Sequence, residues 1–175
     1  AIKNVAPVRR DLGVKTFFNM LGPLVKPAFP KYQLTGVFNL ELARLYHYLF
    51  QKTATTFTIL YALDGYDEIS LTGATKAFSN ASERVLNPQD FGVLPLKAEQ
   101  IAGGDTVESS AKIFMNVIQN KGTEAQTNVV CANAGMAIAT AQNLSPIEGF
   151  EKAKESLQSG KALTALTSLQ NISKA

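Results

Sequence analysis

The stretch from residue 32 to residue 63 carries the pattern of a strand, a helix and a second strand. Residues 32–38 (YQLTGVF) predict a strand, and Asn39 is placed to cap the helix that follows. That helix puts three leucines on one face: Leu42, Leu45 and Leu49. Residues 56–63 (TFTILYAL) are β-branched and aromatic, which is typical of a buried strand. A strand, a helix and a strand within about 30 residues predict a βαβ unit and therefore a partly parallel sheet.

The last third of the chain is predicted to be helical, because capping signals recur there. Three residue pairs are spaced as capping boxes: Asp105 and Glu108, Thr123 and Gln126, and Ser145 and Glu148. The first of these helices has one apolar face, formed by Val107, Ala111, Phe114 and Ile118. Shorter strands are expected before this helical part, near residues 69–71, 76–80 and 83–86.

The N-terminal segment is dense in Gly and Pro. A helical turn over residues 16–21 is expected to stop at Gly22 and Pro23, and the prolines that follow force an irregular path. Shaped loops of this kind often line sites. Taken together, the patterns predict an α/β fold in a single domain over residues 1–175. We expect a mixed, partly parallel sheet flanked by helices, followed by a helical C-terminal third.

The composition of the 175-residue chain excludes several classes of protein. Hydrophobic residues make up 46% and charged residues 18%, which excludes intrinsic disorder. A single cysteine, Cys131, and a single histidine, His47, exclude a disulfide framework and disfavour Ser-His or Cys-His catalysis. We expect Cys131 to be an inert buried thiol and His47 to be exposed or at the edge of the core. The longest uncharged run, residues 125–147, carries too many Asn and Gln side chains for a membrane span, so no membrane partner is expected.

Charge is distributed unevenly along the chain. Residues 1–60 contain eight Lys and Arg residues against Asp11 and Glu41, a net charge of +6, whereas the remainder carries −3. A basic excess of this size suits a small anionic ligand better than a nucleic-acid track, which usually needs a more basic domain. A nucleic-acid partner is therefore disfavoured.

The adjacent acids Asp67 and Glu68, in the string LDGYDEIS, are the best candidates for chemistry. They follow the strongest predicted strand, and in α/β folds ligands gather beyond the carboxyl ends of strands. Two carboxylates in one turn can bind Mg²⁺, which keeps several waters and binds substrate phosphates. The alternative is an ordinary solvated acidic turn, and the spacing alone favours that alternative.

Arg9 and Arg10 present a similar choice. Two basic residues on a helix are ordinarily solvated, although one arginine turned inward could hold a carboxylate by two hydrogen bonds. The segment 103–105 (GGD) does not follow a buried strand as a phosphate loop would, so helix capping is the preferred interpretation there.

Four strings decide between these alternatives: VAPVRRDLGVKTFFNMLGPL, YQLTGVF, GYDEISLTG and GGDTVESSA. With these strings in this order and spacing, the chain resembles anthranilate phosphoribosyltransferase from residue 1 to the final helices. The resemblance implies the α/β large domain of the nucleoside-phosphorylase-like phosphoribosyltransferases, here incomplete. It also implies an enzyme of tryptophan biosynthesis that joins anthranilate to phosphoribosyl pyrophosphate (PRPP) with loss of pyrophosphate. Such an enzyme is expected in the cytoplasm, as a homodimer formed through a small helical domain.

The resemblance assigns roles by position. Arg9 corresponds to the arginine that holds the anthranilate carboxylate, and Gly22 and Pro23 correspond to residues that line the anthranilate channel. Asp67 and Glu68 correspond to the pair that binds the Mg²⁺ carrying the pyrophosphate. The implied mechanism relies on positioning and electrostatics and needs no acid or base residue from the protein.

The chain also departs from the family pattern. Residues 25–27 (VKP) stand where Thr-Asn-Pro is common, and Lys15 stands where arginine is usual. The family's helical domain and its Gly-rich and Lys-His-Gly-Asn segments, which cradle PRPP, would precede residue 1, so the chain alone is expected to be inactive. Two alternatives stay open. One is a non-catalytic relative that binds nucleic acid or a protein partner through its basic N-terminal face, and the other is a related nucleoside phosphorylase.

Overall fold

The structure is a computed structural model, and it describes residues 20–25 and 28–173. The chain separates into two compact units, Ala1–Lys31 and Tyr32–Ala175, and the expectation of one domain stays a prediction. In the described part of the first unit, Met20 and Leu21 are helical and a turn follows directly. The backbone N–H groups of Leu24 and Val25 both donate to the carbonyl oxygen of Leu21, at 2.9 and 3.0 Å. The helical turn therefore ends at Gly22, as expected.

The second unit begins with a four-stranded mixed sheet in the order β1-β2-β3-β4. The strands are β1 (Tyr32–Gly36), β2 (Thr56–Ala62), β3 (Thr75–Ser79) and β4 (Glu83–Leu86), and helix α1 (Leu40–Phe50) connects the first two. Strands β1 and β2 are parallel, whereas β3 is antiparallel to both β2 and β4. The predicted βαβ unit and mixed sheet are confirmed. The expected strand near residues 69–71 is wrong, because that segment joins no strand of the sheet and Leu71 lies in a bend with a positive φ of 60°.

Helix α1 begins where the sequence predicts, but a different face of it is buried. The side chain of Asn39 accepts a hydrogen bond from the Leu42 N–H at 2.8 Å, which caps the helix. The buried side chains are those of Leu42, Ala43, Tyr46 and Phe50. Leu45 and Leu49 remain 46% and 38% exposed. The packing face keeps Leu42 but continues through the aromatic rings of Tyr46 and Phe50, and the ring of Phe50 lies 5.4 Å from that of Phe57 in the sheet, centroid to centroid.

Four helices form the C-terminal part: α2 (Val107–Ile118), α3 (Glu124–Gln142), α4 (Pro146–Gln158) and α5 (Lys161–Ile172). The capping boxes predicted for α3 and α4 are confirmed, since Thr123 and Ser145 are their N-caps. The box predicted for α2 is one residue too early, because the hydroxyl of Thr106, not the carboxylate of Asp105, accepts the N–H of Ser109. Two short 3₁₀ turns, Pro88–Phe91 and Ala98–Gln100, lie between the sheet and α2.

The apolar face predicted for α2 is not the face that packs. Val107 is 82% exposed and Phe114 is 52% exposed, whereas Val117 is buried. The shift follows from the neighbouring loop. A Cβ on Gly122 would lie 2.7 Å from a methyl group of Val117, so the chain reverses tightly against that side of the helix.

Helix α3 links the helical part to the sheet. It contacts α4 and also contacts β1 and β2. Gly135 and Gly149 allow the close crossing of α3 and α4, since a Cβ on Gly149 would lie 2.2 Å from the Gly135 carbonyl oxygen. The core around this crossing includes Met136, Phe150 and Leu60. Among the helices of the described residues, none combines the length and the apolar character that crossing a bilayer requires.

Candidate functional site

A loop of residues 63–72, which we call the acidic loop, leaves the carboxyl end of β2 and carries Asp67 and Glu68. The strand is broken by a turn at Asp64 and Gly65, as predicted, and Gly65 has a positive φ of 99°. The Gly65 N–H donates to the Ala62 carbonyl at 3.0 Å, and the Ala62 N–H donates to the Tyr66 carbonyl at 3.1 Å. The chain therefore folds back over the end of β2 and presents its acids at that edge of the sheet.

The end of β1 supports the acidic loop from one side. A Cβ on Gly36 would lie 1.6 Å from the carbonyl oxygen of Asp67, so the two backbones touch at a distance that only glycine permits. Because β1 and β2 are parallel, their carboxyl ends lie at the same edge of the sheet. The acid pair therefore lies where ligands bind in open α/β sheets.

A third acid, Asp64, is used inside the loop. Its carboxylate accepts hydrogen bonds from the hydroxyl of Ser70, at 2.9 Å, and from the hydroxyl of Thr72. The Thr72 N–H in turn donates to the Ser70 hydroxyl at 3.2 Å. These bonds tie the start of the loop to its end. Asp64 is therefore a structural acid.

Helix α3 supports the acidic loop from the other side through Asn133. The Asn133 Oδ1 accepts from the Ile69 N–H at 2.9 Å, and its Nδ2 donates to the Ile69 carbonyl at 2.8 Å. Ile69 and Leu71 are 2% and 1% exposed and belong to the hydrophobic core. The residue that directly follows Glu68 is thus fixed by both its backbone and its side chain.

Asp67 and Glu68 themselves are exposed, and their side chains form no hydrogen bond or ion pair with another described residue. Within the part of the chain that the structure describes, no group of three or more acidic, His or Cys side chains could hold a metal ion. A pair of solvent-facing carboxylates does not form a closed protein cage. It does fit Mg²⁺, which is usually held by one or two carboxylates together with waters and substrate phosphates.

The other predicted site residues lie in the first unit. Arg9 is outside the described residues. Gly22 is exposed and Pro23 is half-buried, in the turn that ends the helical segment. Of the five predicted site residues, the structure therefore brings together Asp67 and Glu68, and the roles of Arg9, Gly22 and Pro23 stay predictions.

The remaining reactive side chains are structural. Cys131 is 1% exposed, and burial raises the pKa of its thiol, which keeps it protonated. His47 is half-buried at the edge of the core, with its ring 5.8 Å from Phe57 and 5.4 Å from Phe78, centroid to centroid. Both expectations are confirmed. Helix capping was the interpretation preferred for segment 103–105, but the N-cap of α2 is the next residue, Thr106.

Sequence reasoning missed three residues that shape the site: Gly36, Asp64 and Asn133. A glycine inside a predicted strand often marks a close approach of another backbone, so Gly36 carried a usable signal. Asn133 carried none, because its partner Ile69 lies 64 residues earlier in the chain.

Residues 1–163 of this chain match the protein family described as "Glycosyl transferase family, a/b domain". An anthranilate phosphoribosyltransferase from Christiangramia forsetii is 65% identical over 173 residues, which are 99% of this chain and 52% of the relative. The structure of anthranilate phosphoribosyltransferase from Thermus thermophilus has a TM-score of 0.88 and 28% identity, and the match covers 99% of this chain and 53% of that one.

The yeast enzyme extends the comparison to ligands. Anthranilate phosphoribosyltransferase from Saccharomyces cerevisiae in complex with PRPP and Mg has a TM-score of 0.84 and 27% identity, over 95% of this chain and 48% of that one. The chain thus spans about half the length of the relatives it matches. These relatives are transferases, so they give no support to the non-catalytic alternative. They confirm both the resemblance and the predicted phosphoribosyltransferase-like fold, and with the match over residues 1–163 they show that this chain belongs to the glycosyl transferase family, in its α/β domain.

Proposed function

We propose that this chain is the α/β half of a phosphoribosyltransferase that joins anthranilate to PRPP with release of pyrophosphate. The observation that carries the proposal is the acid pair. Asp67 and Glu68 are held at the carboxyl edge of the parallel strands, with their carboxylates exposed to solvent. A yeast relative has been solved with PRPP and Mg, and the same enzyme with 4-fluoroanthranilate. Two such carboxylates would bind Mg²⁺, and the cation in turn would bind the phosphate groups of a substrate such as PRPP.

In this proposal Asp67 and Glu68 hold Mg²⁺. When bound between them, the cation would offset the negative charge that develops on the departing pyrophosphate. The acidic loop contributes by keeping the two carboxylates in one place, so that little reorganisation is needed when the substrate binds. Asp64 has no direct part, because its carboxylate is engaged by Ser70 and Thr72.

The N-terminal unit supplies the contacts to anthranilate. Arg9 would hold the anthranilate carboxylate by two parallel hydrogen bonds, since a guanidinium matches a carboxylate in geometry and charge. Gly22 and Pro23 would line the channel beside it. These contacts direct the amine of anthranilate at the anomeric carbon of PRPP.

The reaction needs little proton transfer by the protein. The amine nitrogen forms a bond to the anomeric carbon while the bond from that carbon to pyrophosphate breaks, and the amine loses one proton to solvent. Positioning and charge stabilisation supply the rate enhancement. His47 cannot serve as a base at the acid pair, because it lies at the opposite edge of the sheet. Its Nε2 is 3.1 Å from the carbonyl oxygen of Ser79 at one end of β3, whereas the carboxyl end of β2, where the acidic loop begins, lies beside Thr75 at the other end of β3.

The proposal also concerns the half of the relatives' length that this chain does not match. The relatives are about twice as long as the matched region, and we assign the segments that cradle PRPP, and a helical dimerisation domain, to the other half. The chain alone should then give no turnover. Because the substrates are small charged metabolites, we expect the enzyme in the cytoplasm.

Complementation tests the proposal. The chain is mixed with the complementary half of the Christiangramia forsetii relative, and the loss of anthranilate fluorescence is followed with PRPP and Mg²⁺. We expect turnover from the mixture and none from the chain alone. The double variant D67N/E68Q should lower kcat by about 100-fold or more, as the loss of a transition-state charge contact does. The double variant E99Q/D105N removes two exposed acids outside the acidic loop and should leave kcat unchanged.

Two outcomes would refute the proposal. One is full activity in D67N/E68Q. The other is an inactive mixture under conditions in which the intact relative and its own two recombined halves are both active.

A further inference from the structure

The side chain of Asn133 is bonded to the backbone that bears the acid pair. It binds Ile69 in both directions, accepting from the N–H at 2.9 Å and donating to the carbonyl at 2.8 Å. Its amide also donates to the carbonyl of Val129, one turn earlier in α3, at 2.9 Å. The third bond fixes the rotamer of Asn133, so the first two are made by a side chain that is itself held in place.

The direction of the two carboxylates depends on their backbone. The side chains of Asp67 and Glu68 form no hydrogen bond or ion pair with another described residue, so no side-chain contact in that part of the protein orients them. Their backbone is bounded on one side by Gly36, which meets the Asp67 carbonyl, and on the other by Asn133, which holds Ile69. Removing either support would let the pair move.

We propose that Asn133 is a positioning residue that fixes the acid pair for divalent cation binding and so couples helix α3 to the metal site. This inference rests on the proposed function, because it takes Asp67 and Glu68 to be the metal ligands. Residues that orient metal ligands without touching the metal typically change metal affinity by about 10–100-fold when they are removed. Asn133 should behave in this way although its side chain points at a backbone.

Helix α3 provides a matched control. Thr140 lies seven residues after Asn133, about two turns along the same face, and its hydroxyl is 2.8 Å from the hydroxyl of Thr58 in β2. The substitution T140V removes a polar contact between the same helix and the sheet, at the end of β2 that lies away from the acidic loop. Both N133A and T140V should lower stability, but only N133A removes a contact with the acidic loop.

The test uses the 175-residue chain and Mn²⁺ as the probe. Bound Mn²⁺ broadens nearby amide resonances, so a titration followed by NMR reports both the dissociation constant and the location of the ion. We expect Mn²⁺ to broaden the amides of Asp67 and Glu68 in the wild-type chain. We expect N133A to weaken Mn²⁺ binding about 10-fold or more, and T140V to stay within about twofold of wild type. D67N/E68Q should abolish the site-specific broadening.

The outcomes separate the inference from the proposed function. Wild-type affinity in N133A would overturn the positioning role, and so would equal weakening in N133A and T140V, because the effect would then be one of general stability. Absence of Mn²⁺ broadening at Asp67 and Glu68 in the wild-type chain would overturn the metal site itself, and the positioning role with it. Should N133A fail to fold, N133S gives the same comparison, since its neutral side chain is too short to bond both backbone groups of Ile69.

Discussion

Gly36 offers a sharp test of how the acidic loop is supported. The substitution G36A adds one carbon atom, which would lie 1.6 Å from the Asp67 carbonyl oxygen and 2.8 Å from its carbonyl carbon. An ordinary contact between carbon and oxygen is about 3.3–3.6 Å. The end of β1 and the acidic loop would therefore have to separate by about 2 Å, since both contacts are with backbone atoms that cannot rotate away.

The size of the effect follows from that separation. Overpacking by one methyl group usually lowers the free energy of unfolding by about 1–3 kcal/mol. For a chain of this size that loss lowers the Tm by about 2–12 °C. The acid pair would move with its backbone, and a misplacement of about 1 Å can lower a reaction rate about 100-fold. We expect G36A to fold, to melt earlier and to bind Mn²⁺ more weakly.

Thermal unfolding and a Mn²⁺ titration on the same samples measure both effects. The control is G103A, because a Cβ on Gly103 would meet no heavy atom within 4 Å. Its stability should stay within about 0.5 kcal/mol of wild type. The reasoning fails if G36A matches wild type in both measurements, or if G103A is equally damaging.

Three further substitutions or measurements test the fold. Thr75 is 1% exposed and its hydroxyl oxygen has no hydrogen-bond partner among the described residues, so T75V should raise the free energy of unfolding in urea by about 1 kcal/mol; a decrease would contradict this. Two hydrogen bonds to the Glu148 carboxylate lower its pKa below the ordinary value of 4.5. The larger effect comes from the Ser145 side chain and the smaller from the Ser145 backbone N–H. Its stabilisation is therefore present above about pH 4.5 and is lost as the pH falls through the lowered pKa. The difference in urea midpoint between wild type and E148Q should accordingly narrow from about pH 7 to about pH 3.5, and a constant difference would show that the cap does not depend on charge. Cys131 should react with a disulfide reagent orders of magnitude more slowly in the folded chain than in urea, because it is buried and its pKa is raised. Fast reaction of the folded protein would refute that placement.

Local signals in the sequence were enough to place the four strands of the sheet and most helix starts, although they also predicted a strand near residues 69–71 that does not form. The β-branched run at residues 56–63 and the cap at Asn39 act over a few residues, so they could be recognised without the fold. The packing faces of α1 and α2 could not be recognised in this way, because each depends on what the rest of the chain places against it. In α1 the rings of Tyr46 and Phe50 lie in the core beside Leu42, whereas Leu45 and Leu49 are exposed.

The residues of the candidate site likewise fall into two groups, those recognisable from the local sequence and those recognisable only from the fold. Asp67 and Glu68 were recognisable because they are adjacent and follow a strand. The supports that hold them come from distant parts of the chain: Gly36 from β1 and Asn133 from α3. Their roles arise only when the chain is folded, since the acidic loop, the end of β1 and the middle of α3 then meet.

The glycine crossing of α3 and α4 has a consequence for how this protein can change over evolution. A Cβ on Gly135 would lie 2.6 Å from the backbone nitrogen of Phe150, and one on Gly149 would lie 2.2 Å from the Gly135 carbonyl oxygen. A larger residue at either position would push α4 away and tilt α3, which carries Asn133 two residues before Gly135. We therefore expect both glycines to tolerate substitution poorly across related sequences, although neither is part of the acidic loop. A shift of α3 would move Asn133, and with it the backbone that carries the acid pair.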